Sequence, residues 1–155
     1  MSTANSVQIK GFMRACLKNV RKGTVEYTPW IENAITADGF EKYIVGPVGA
    51  IAGSKTVGYL QLASQTDAPV SSQNTASGEF TAAGARQATT NTFSANGTLQ
   101  ATASWATNQG NESALGAVAI YNTNAGGTAG SIATFSTSQK TTDQTLNVTY
   151  QWRFS

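Results

Sequence analysis

Apolar and polar residues alternate at both ends of the chain, which is the pattern of β-strands with one buried face. In the first run Val7, Ile9, Met13, Ala15 and Leu17 share one parity, and only Phe12 and Cys16 lie among the polar residues of the other. The last run, TLNVTYQWRFS, has the same arrangement, with Leu146, Val148, Tyr150, Trp152 and Phe154 on one side. We therefore predict a long first strand and a long last strand, each contributing one face to a core.

Shorter segments between these two runs predict further strands. NVRKGTVEY supplies a turn around Lys22 and Gly23 and a short second strand, which Pro29 ends and which would form a hairpin with the first strand. GEFTAAGARQATTNTF predicts one or two strands from its Thr and Phe content. Four other segments have the residue content or alternation of strands: KTVGYLQLAS, GTLQATASWAT, SALGAVAIY and GSIATFSTS.

The spacing of these segments is typical of an antiparallel sandwich or barrel. We predict that the last strand is central or nearly central in its sheet. The first strand, through Val7, Ile9 and Met13, would then form the opposing wall of the core.

One helix is predicted in NAITADGFEKYIVGPVG. Thr36 is a suitable N-cap, and the Gly-Pro pair at 46–47 is a stop signal. Phe40 and Ile44 would lie on the buried side. The fold prediction is therefore mainly β: one antiparallel β-sandwich domain spanning residues 1–155, of jelly-roll or immunoglobulin-like type, with one short helix near residues 37–45.

Two polar segments are predicted to be loops. Residues 65–77 are rich in turn-forming residues and predict an exposed loop, and NTNAGGTAG, between Tyr121 and Ser131, is typical of a hairpin loop. GPVGAIAG, residues 46–53, follows the helix and lacks a Lys-Ser/Thr pair, so we interpret it as a connection and not as a phosphate-binding loop.

The composition favours an assembly component. Charged residues make up 12% of the 155 residues, against roughly 25% in an ordinary soluble domain, and the formal net charge is +2. A polar surface with little charge costs little to desolvate against a partner. The chain has no clear basic stripe, no membrane-length apolar run and no signal-like N-terminus, so we expect neither a nucleic-acid partner nor a membrane.

The residues needed for common catalytic and metal sites are scarce. There is no histidine, which removes Ser-His-Asp and Cys-His catalysis, and Cys16 is the single cysteine. The eight acidic residues show no calcium-loop run and no spacing that suggests a catalytic pair. We predict that the protein is not an enzyme and has no catalytic residues, bound metal or cofactor.

Three cations project from the same side of the first strand: Lys10, Arg14 and Lys18. One interpretation is a contact with an acidic partner. The other is a solvated outer face on which charge prevents aggregation. The sequence leaves both open.

The order of segments resembles that of small virion structural proteins of tailed bacteriophages. In that group a strand, an N-x-IT-x-x-G motif and a helix open the chain, and a segment with Lys-Thr, then Asp, then Leu-x-Val-x-Tyr/Trp closes it. The matching residues are Asn33, Ile35, Thr36, Gly39, Lys140, Thr141, Asp143, Leu146, Val148 and Tyr150. The resemblance covers nearly the whole chain except about residues 64–92.

This resemblance implies a function in the virion, in one of two places. The first is a capsid decoration (cement) protein, expected to be a homotrimer, that binds the major capsid protein on the outside of the head and stabilises it. The second is a tail-fibre or tail-tip module that recognises host-surface glycan through loops such as 65–77 and 122–130, with Trp30 as an aromatic candidate. The implied location is the virion, assembled in the host cytoplasm.

Overall fold

The structure is a computed structural model that describes residues 7–94 and 97–155 of the chain. Ten strands are present in this part. They are β1 (Ile9–Asn19), β2 (Val25–Tyr27), β3 (Ile31–Ile35), β4 (Tyr59–Ala63), β5 (Arg86–Ala88), β6 (Thr90–Ser94), β7 (Thr98–Trp105), β8 (Glu112–Tyr121), β9 (Ser131–Lys140) and β10 (Gln144–Phe154).

The strands follow one hydrogen-bonded path, β5-β4-β8-β9-β3-β1-β10-β7-β6, with β2 paired to β1, and all pairings are antiparallel. We call β2, β1, β10, β7 and β6 the front sheet and β9, β8, β4 and β5 the back sheet. β3 belongs to both, because residues 31–33 pair with β1 and residues 34–35 pair with β9. The predicted antiparallel β-sandwich is confirmed, in the form of a nearly closed barrel.

The core lies between the two sheets. The front sheet contributes Met13, Ala15, Ala101, Ala103, Trp105, Leu146, Val148, Tyr150 and Trp152. The back sheet contributes Leu60, Leu62, Leu115, Val118, Ile120 and Ala133. As predicted, β10 is internal, between β1 and β7.

The prediction that the first strand forms the opposing wall is wrong. β1 pairs with β10 along its whole length, from Ile9 opposite Phe154 to Asn19 opposite Gln144. Two amphipathic strands with matching parity can lie side by side or face each other, and alternation alone does not distinguish these arrangements. The opposing wall comes from β4, β8 and β9, and Val7 is exposed.

The back sheet is buried on both faces. Its outer side packs small residues against two loops, forming a second cluster of Ala63, Ala76, Ala117, Ala119, Tyr121, Ala129 and Ile132. This double burial explains why β8 has a nearly continuous apolar sequence. The expectation that residues 65–77 are simply exposed is therefore corrected, since Gln65 and Ala76 are buried.

The helical segment is a π-helix, Gly39–Val45, continued by one α-helical turn, Gly46–Val48. Thr36 acts as predicted, because its Oγ1 accepts a hydrogen bond from the N–H of Gly39 at 2.9 Å. The helical segment ends at Val48, three residues beyond the predicted end at residue 45. The expected burial of Phe40 is wrong, since Phe40 is 51% exposed and Tyr43 is buried instead.

Tyr43 and Asp38 fasten this segment to the loop at 122–130. The Tyr43 hydroxyl donates a hydrogen bond to the Thr128 carbonyl at 2.9 Å, and the ring meets Trp152 edge-on. Burial raises the pKa of Tyr43 to about 12. Asp38 accepts hydrogen bonds from Thr128 and Lys42, and these lower the pKa of its carboxyl group.

Replacing Asp38 with Asn is expected to remove part of the acid sensitivity of folding. Because the pKa of Asp38 is lower in the folded chain, its stabilising contribution is complete above its unfolded pKa of about 3.9 and is lost as the pH falls through the folded value. We expect the Asp38→Asn protein to be about 1 kcal/mol less stable at neutral pH, with the difference shrinking as the pH falls below the unfolded pKa of about 3.9. Urea unfolding at several pH values measures this, and a constant difference would contradict it.

Candidate functional site: the basic face, the side groove and the apolar tip

The outer surface of the front sheet carries four cations side by side. Lys10, Arg14 and Lys18 project from β1, and Arg153 of β10 is the direct cross-strand neighbour of Lys10. Glu32 is the one acidic residue among the described strand residues that face this side, and its carboxylate lies 3.8 Å from Lys10 Nζ. This surface therefore has an excess of positive charge on a protein whose net charge is small.

Aromatic rings hold the two arginines of this surface in place. The Arg14 guanidinium lies 4.3 Å from the ring centre of Tyr27, and that of Arg153 lies 4.2 Å from Phe12 and 5.5 Å from Trp30. Such stacking holds a guanidinium in place. The Nε and Nη2 of Arg153 also donate hydrogen bonds to Gln151 Oε1, at 3.0 and 2.8 Å. We call Lys10, Arg14, Lys18 and Arg153, with Phe12, Tyr27 and Trp30, the basic face.

Three of these residues were predicted together, and the structure places them together. Lys10 is paired with Glu32, Arg14 is half-buried against Tyr27, and Lys18 is exposed. Arg153, Phe12 and Tyr27 were not predicted to belong to this surface, and Trp30 was predicted only as a glycan-binding aromatic. The register of β1 against β10 would have revealed Arg153, because it brings the polar parity of the last strand beside the cations of the first.

The outer side of β7, β6 and the remainder of β10 is polar and uncharged. Hydrogen bonds link its side chains across strands: Ser104 Oγ donates to Asn147 Oδ1 at 2.5 Å, and Gln151 Nε2 donates to Gln100 Oε1 at 2.9 Å. These cross-strand pairs stabilise the pairing of β10 with β7. In contrast to the back sheet, no described segment covers this side.

A groove of about 520 Å³ opens between β9 and the β2–β3 connection. It exists because β3 pairs with β9 only through Ala34 and Ile35, so beyond that point the two sheets separate. Its floor is the apolar core, including Leu17, Leu115 and Phe135. Glu26 lies at its edge. We call it the side groove; no local sequence pattern predicts it.

Exposed apolar side chains gather on and after the helical segment. Phe40, Val45, Val48 and Ile51 are between 48% and 89% exposed, with Val48 the most exposed. Residues 44–54 contain no charged side chain. We call Phe40, Val45, Val48 and Ile51 the apolar tip.

The two loops suggested for glycan recognition are held to the body of the protein. The Ala129 N–H donates to the Asn74 carbonyl at 2.7 Å, which joins the loops to each other. Neither 65–77 nor 122–130 contains an aromatic residue. Trp30, the suggested aromatic, lies instead on the basic face and is 41% exposed.

Within residues 7–94 and 97–155 there is no group of three or more His, Cys, Asp or Glu side chains that could hold a metal ion. The described helices are also too short and too polar to cross a membrane. Comparison of the chain with protein-family models, curated proteins and solved structures finds no match.

Proposed function

We propose that the protein is a structural component of a tailed-bacteriophage virion and decorates the outer surface of the head, where the basic face binds an acidic region of the major capsid protein. The proposal rests on the resemblance of the opening and closing motifs. The observation that carries the binding mode is the uncovered front sheet with its cations.

The dimensions of the front sheet suit such a contact. Five neighbouring strands at about 4.8 Å and eight residues at about 3.3 Å give a surface of roughly 20 by 26 Å. With its side-chain relief, that is of the order of the ~800 Å² which one partner contributes to a standard protein interface. The uncharged Thr, Ser, Asn and Gln side chains beside the cations cost little free energy to desolvate. The basic face would therefore supply the selectivity of the contact, and the uncharged part of the front sheet would supply buried area.

The first experiment locates the protein. Cryo-electron microscopy of the virus particle whose genome encodes the chain is expected to show one copy repeated over the head surface, with the front sheet against the shell. Density confined to the tail would overturn the head proposal and favour the tail-module alternative. Absence from the particle would overturn both.

The second experiment tests the basic face by charge reversal. Lys10→Glu together with Lys18→Glu is expected to weaken binding to heads that lack the protein at least tenfold, because like charges then face each other across the contact. Arg21→Glu with Lys22→Glu is the matched control, since it changes the net charge equally in the exposed β1–β2 turn. Co-sedimentation at increasing salt measures both. Equal loss in the two variants would contradict a specific role for the basic face.

A further inference from the structure

Lys140 is a buried lysine without an acidic partner. It is the last residue of β9 and is 2% exposed, whereas the four residues before it are exposed. None of the ion pairs between described residues includes Lys140, and burial lowers the pKa of its amine. A lysine is rarely buried alone, because its charged form loses its hydration. The lowered pKa increases the fraction of neutral amine, which is the nucleophilic form.

The amine of Lys140 is held against the side-chain amide of Asn111. Its Nζ donates hydrogen bonds to Asn111 Oδ1 at 2.8 Å and to the Ala106 carbonyl at 2.7 Å. The Cγ of Asn111 is one C=O bond of about 1.2 Å from Oδ1, so it lies within roughly 4 Å of Nζ. Asn111 Nδ2 donates to the Thr107 carbonyl at 2.8 Å, which holds the amide in this orientation. An amine and an amide carbon are thus close to the distance of about 3–3.5 Å at which such groups react.

Glu112 provides a proton carrier beside this pair. It follows Asn111 directly and is opposite Lys140 in the pairing of β8 with β9. Directly opposite side chains have Cβ atoms about 4.5–5.5 Å apart, so the carboxylate can reach the amine when its side chain rotates. In the part of the chain that the structure describes, Glu112 forms no ion pair. Its carboxylate is therefore available to accept a proton and to return it.

We propose that Lys140 and Asn111 join in an intramolecular isopeptide bond. The neutral amine attacks Cγ of Asn111 and forms the Nζ–Cγ bond. The Cγ–Nδ2 bond then breaks, and its electron pair stays on the nitrogen. One proton passes from Nζ through the Glu112 carboxylate to Nδ2, so the products are a secondary amide and ammonia. Nothing is oxidised or reduced, and no other reactant is needed.

The bond closes the open end of the β8–β9 hairpin. The closed ring runs from Asn111 to Lys140 and contains both strands and the 122–130 loop. A covalent link of this kind restricts the unfolded chain as a disulfide does, and it prevents the two strands from separating at this end. The link lies in the back sheet, whereas the basic face lies on the front sheet. It is therefore independent of the proposed attachment to the head.

Mass spectrometry of the intact, denatured protein tests the bond. The wild type is expected to weigh about 17 Da less than the mass calculated from its sequence, which is the mass of one ammonia molecule. Lys140→Met and Asn111→Ala each remove one reacting group and are expected to show no deficit. Lys55→Met is the matched control and should keep the deficit, because Lys55 is also mostly buried but faces Asp38 at 3.7 Å. A wild type at its full calculated mass, or a deficit that persists in Lys140→Met, overturns the proposal.

Digestion with trypsin locates the bond, because trypsin does not cleave after a lysine whose amine is part of an amide. No Lys or Arg lies between Arg86 and Lys140, and the next cleavage site is Arg153. The unfolded wild type is therefore expected to give one peptide of residues 87–153, and Asn111→Ala is expected to give separate peptides 87–140 and 141–153. Cleavage after Lys140 in the wild type overturns the proposal.

Glu112→Gln tests the proton carrier. Most chains of this variant are expected to keep their full calculated mass, because Gln cannot accept the proton from Nζ. Complete loss of ammonia in this variant would overturn the assignment of the proton transfer to Glu112. Circular dichroism shows whether each variant is folded, and the mass of the wild type decides the proposal even where a variant is not. Head binding is measured separately, by the co-sedimentation experiment.

Discussion

Removal of residues 150–155 is expected to leave a chain that does not fold. The deletion takes away Tyr150 and Trp152, which are 1% and 2% exposed, together with half of the pairing that β10 makes with β1 and β7. Loss of a single buried large aromatic side chain costs about 3–5 kcal/mol, and total stability is about 5–15 kcal/mol. Circular dichroism and thermal melting would test this, and a soluble truncated protein that melts cooperatively would refute it.

Replacing Trp152 or Trp30 by Ala is expected to lower the free energy of unfolding by different amounts. Trp152→Ala is expected to lower the free energy of unfolding by about 3–5 kcal/mol, since Trp152 packs edge-on against Tyr43 inside the core. Trp30→Ala removes the same side chain from the exposed basic face and is expected to cost less than about 1 kcal/mol. Urea unfolding distinguishes them. Similar losses in the two variants would show that the inner face of β10 is not the main support of the core.

The alternation of apolar and polar residues was sufficient to predict the long strands, because it continues over many residues in each of them. It could not predict β3, where IENAI mixes polar and apolar residues as the strand passes from one sheet to the other. The same passage creates the side groove. A feature that depends on where a strand changes partners is a property of the assembled sheets, and no local pattern encodes it.

The helix was found from its cap and stop signals, and Ile44 packs against the core as predicted, but the burial of Phe40 was predicted wrongly. The reason is the π-helical hydrogen bonding, which rotates successive side chains differently from an α-helix. Tyr43 is drawn inward by its bond to Thr128 and by the absence of a side chain at Gly130, where an added Cβ would lie 3.1 Å from the ring. Phe40 is left outside, where it becomes part of the apolar tip.

Residues of the opening and closing motifs have structural roles in the fold. Asn33 is buried and its Oδ1 accepts a hydrogen bond from Ser131 at 2.7 Å. Gly39 lies so close to the Gly130 carbonyl that an added Cβ would be 1.8 Å from its oxygen. Lys140 is buried and donates to the Ala106 carbonyl and to Asn111 Oδ1. Such motifs specify an architecture, so the contact surfaces had to be found from the structure.

Arg86→Ala is expected to be among the most destabilising single substitutions outside the apolar core. The Arg86 side chain is 8% exposed and ties the 122–130 loop to the back sheet. Its Nη1 donates to the carbonyls of Thr123 and Gly126, its Nε donates to Gln61 Oε1, and its guanidinium lies 3.9 Å from the ring centre of Tyr121. Truncation leaves these acceptors unpaired, with an expected cost of about 3–5 kcal/mol.

The stability lost in Arg86→Ala is expected to include a charge effect, and the Arg86→Lys variant distinguishes this effect from packing. Arg86 also faces Glu79 at 3.5 Å, and burial raises the pKa of Glu79 while it lowers that of Arg86. Arg86→Lys keeps the charge but not the planar set of donors, so we expect it to recover only part of the stability. Arg153→Ala removes an arginine stacked on exposed rings and should cost less than about 1 kcal/mol. Urea unfolding measures the free energy of unfolding of all three variants. If Arg86→Ala lost no more stability than Arg153→Ala, contacts other than those of Arg86 would have to hold the 122–130 loop.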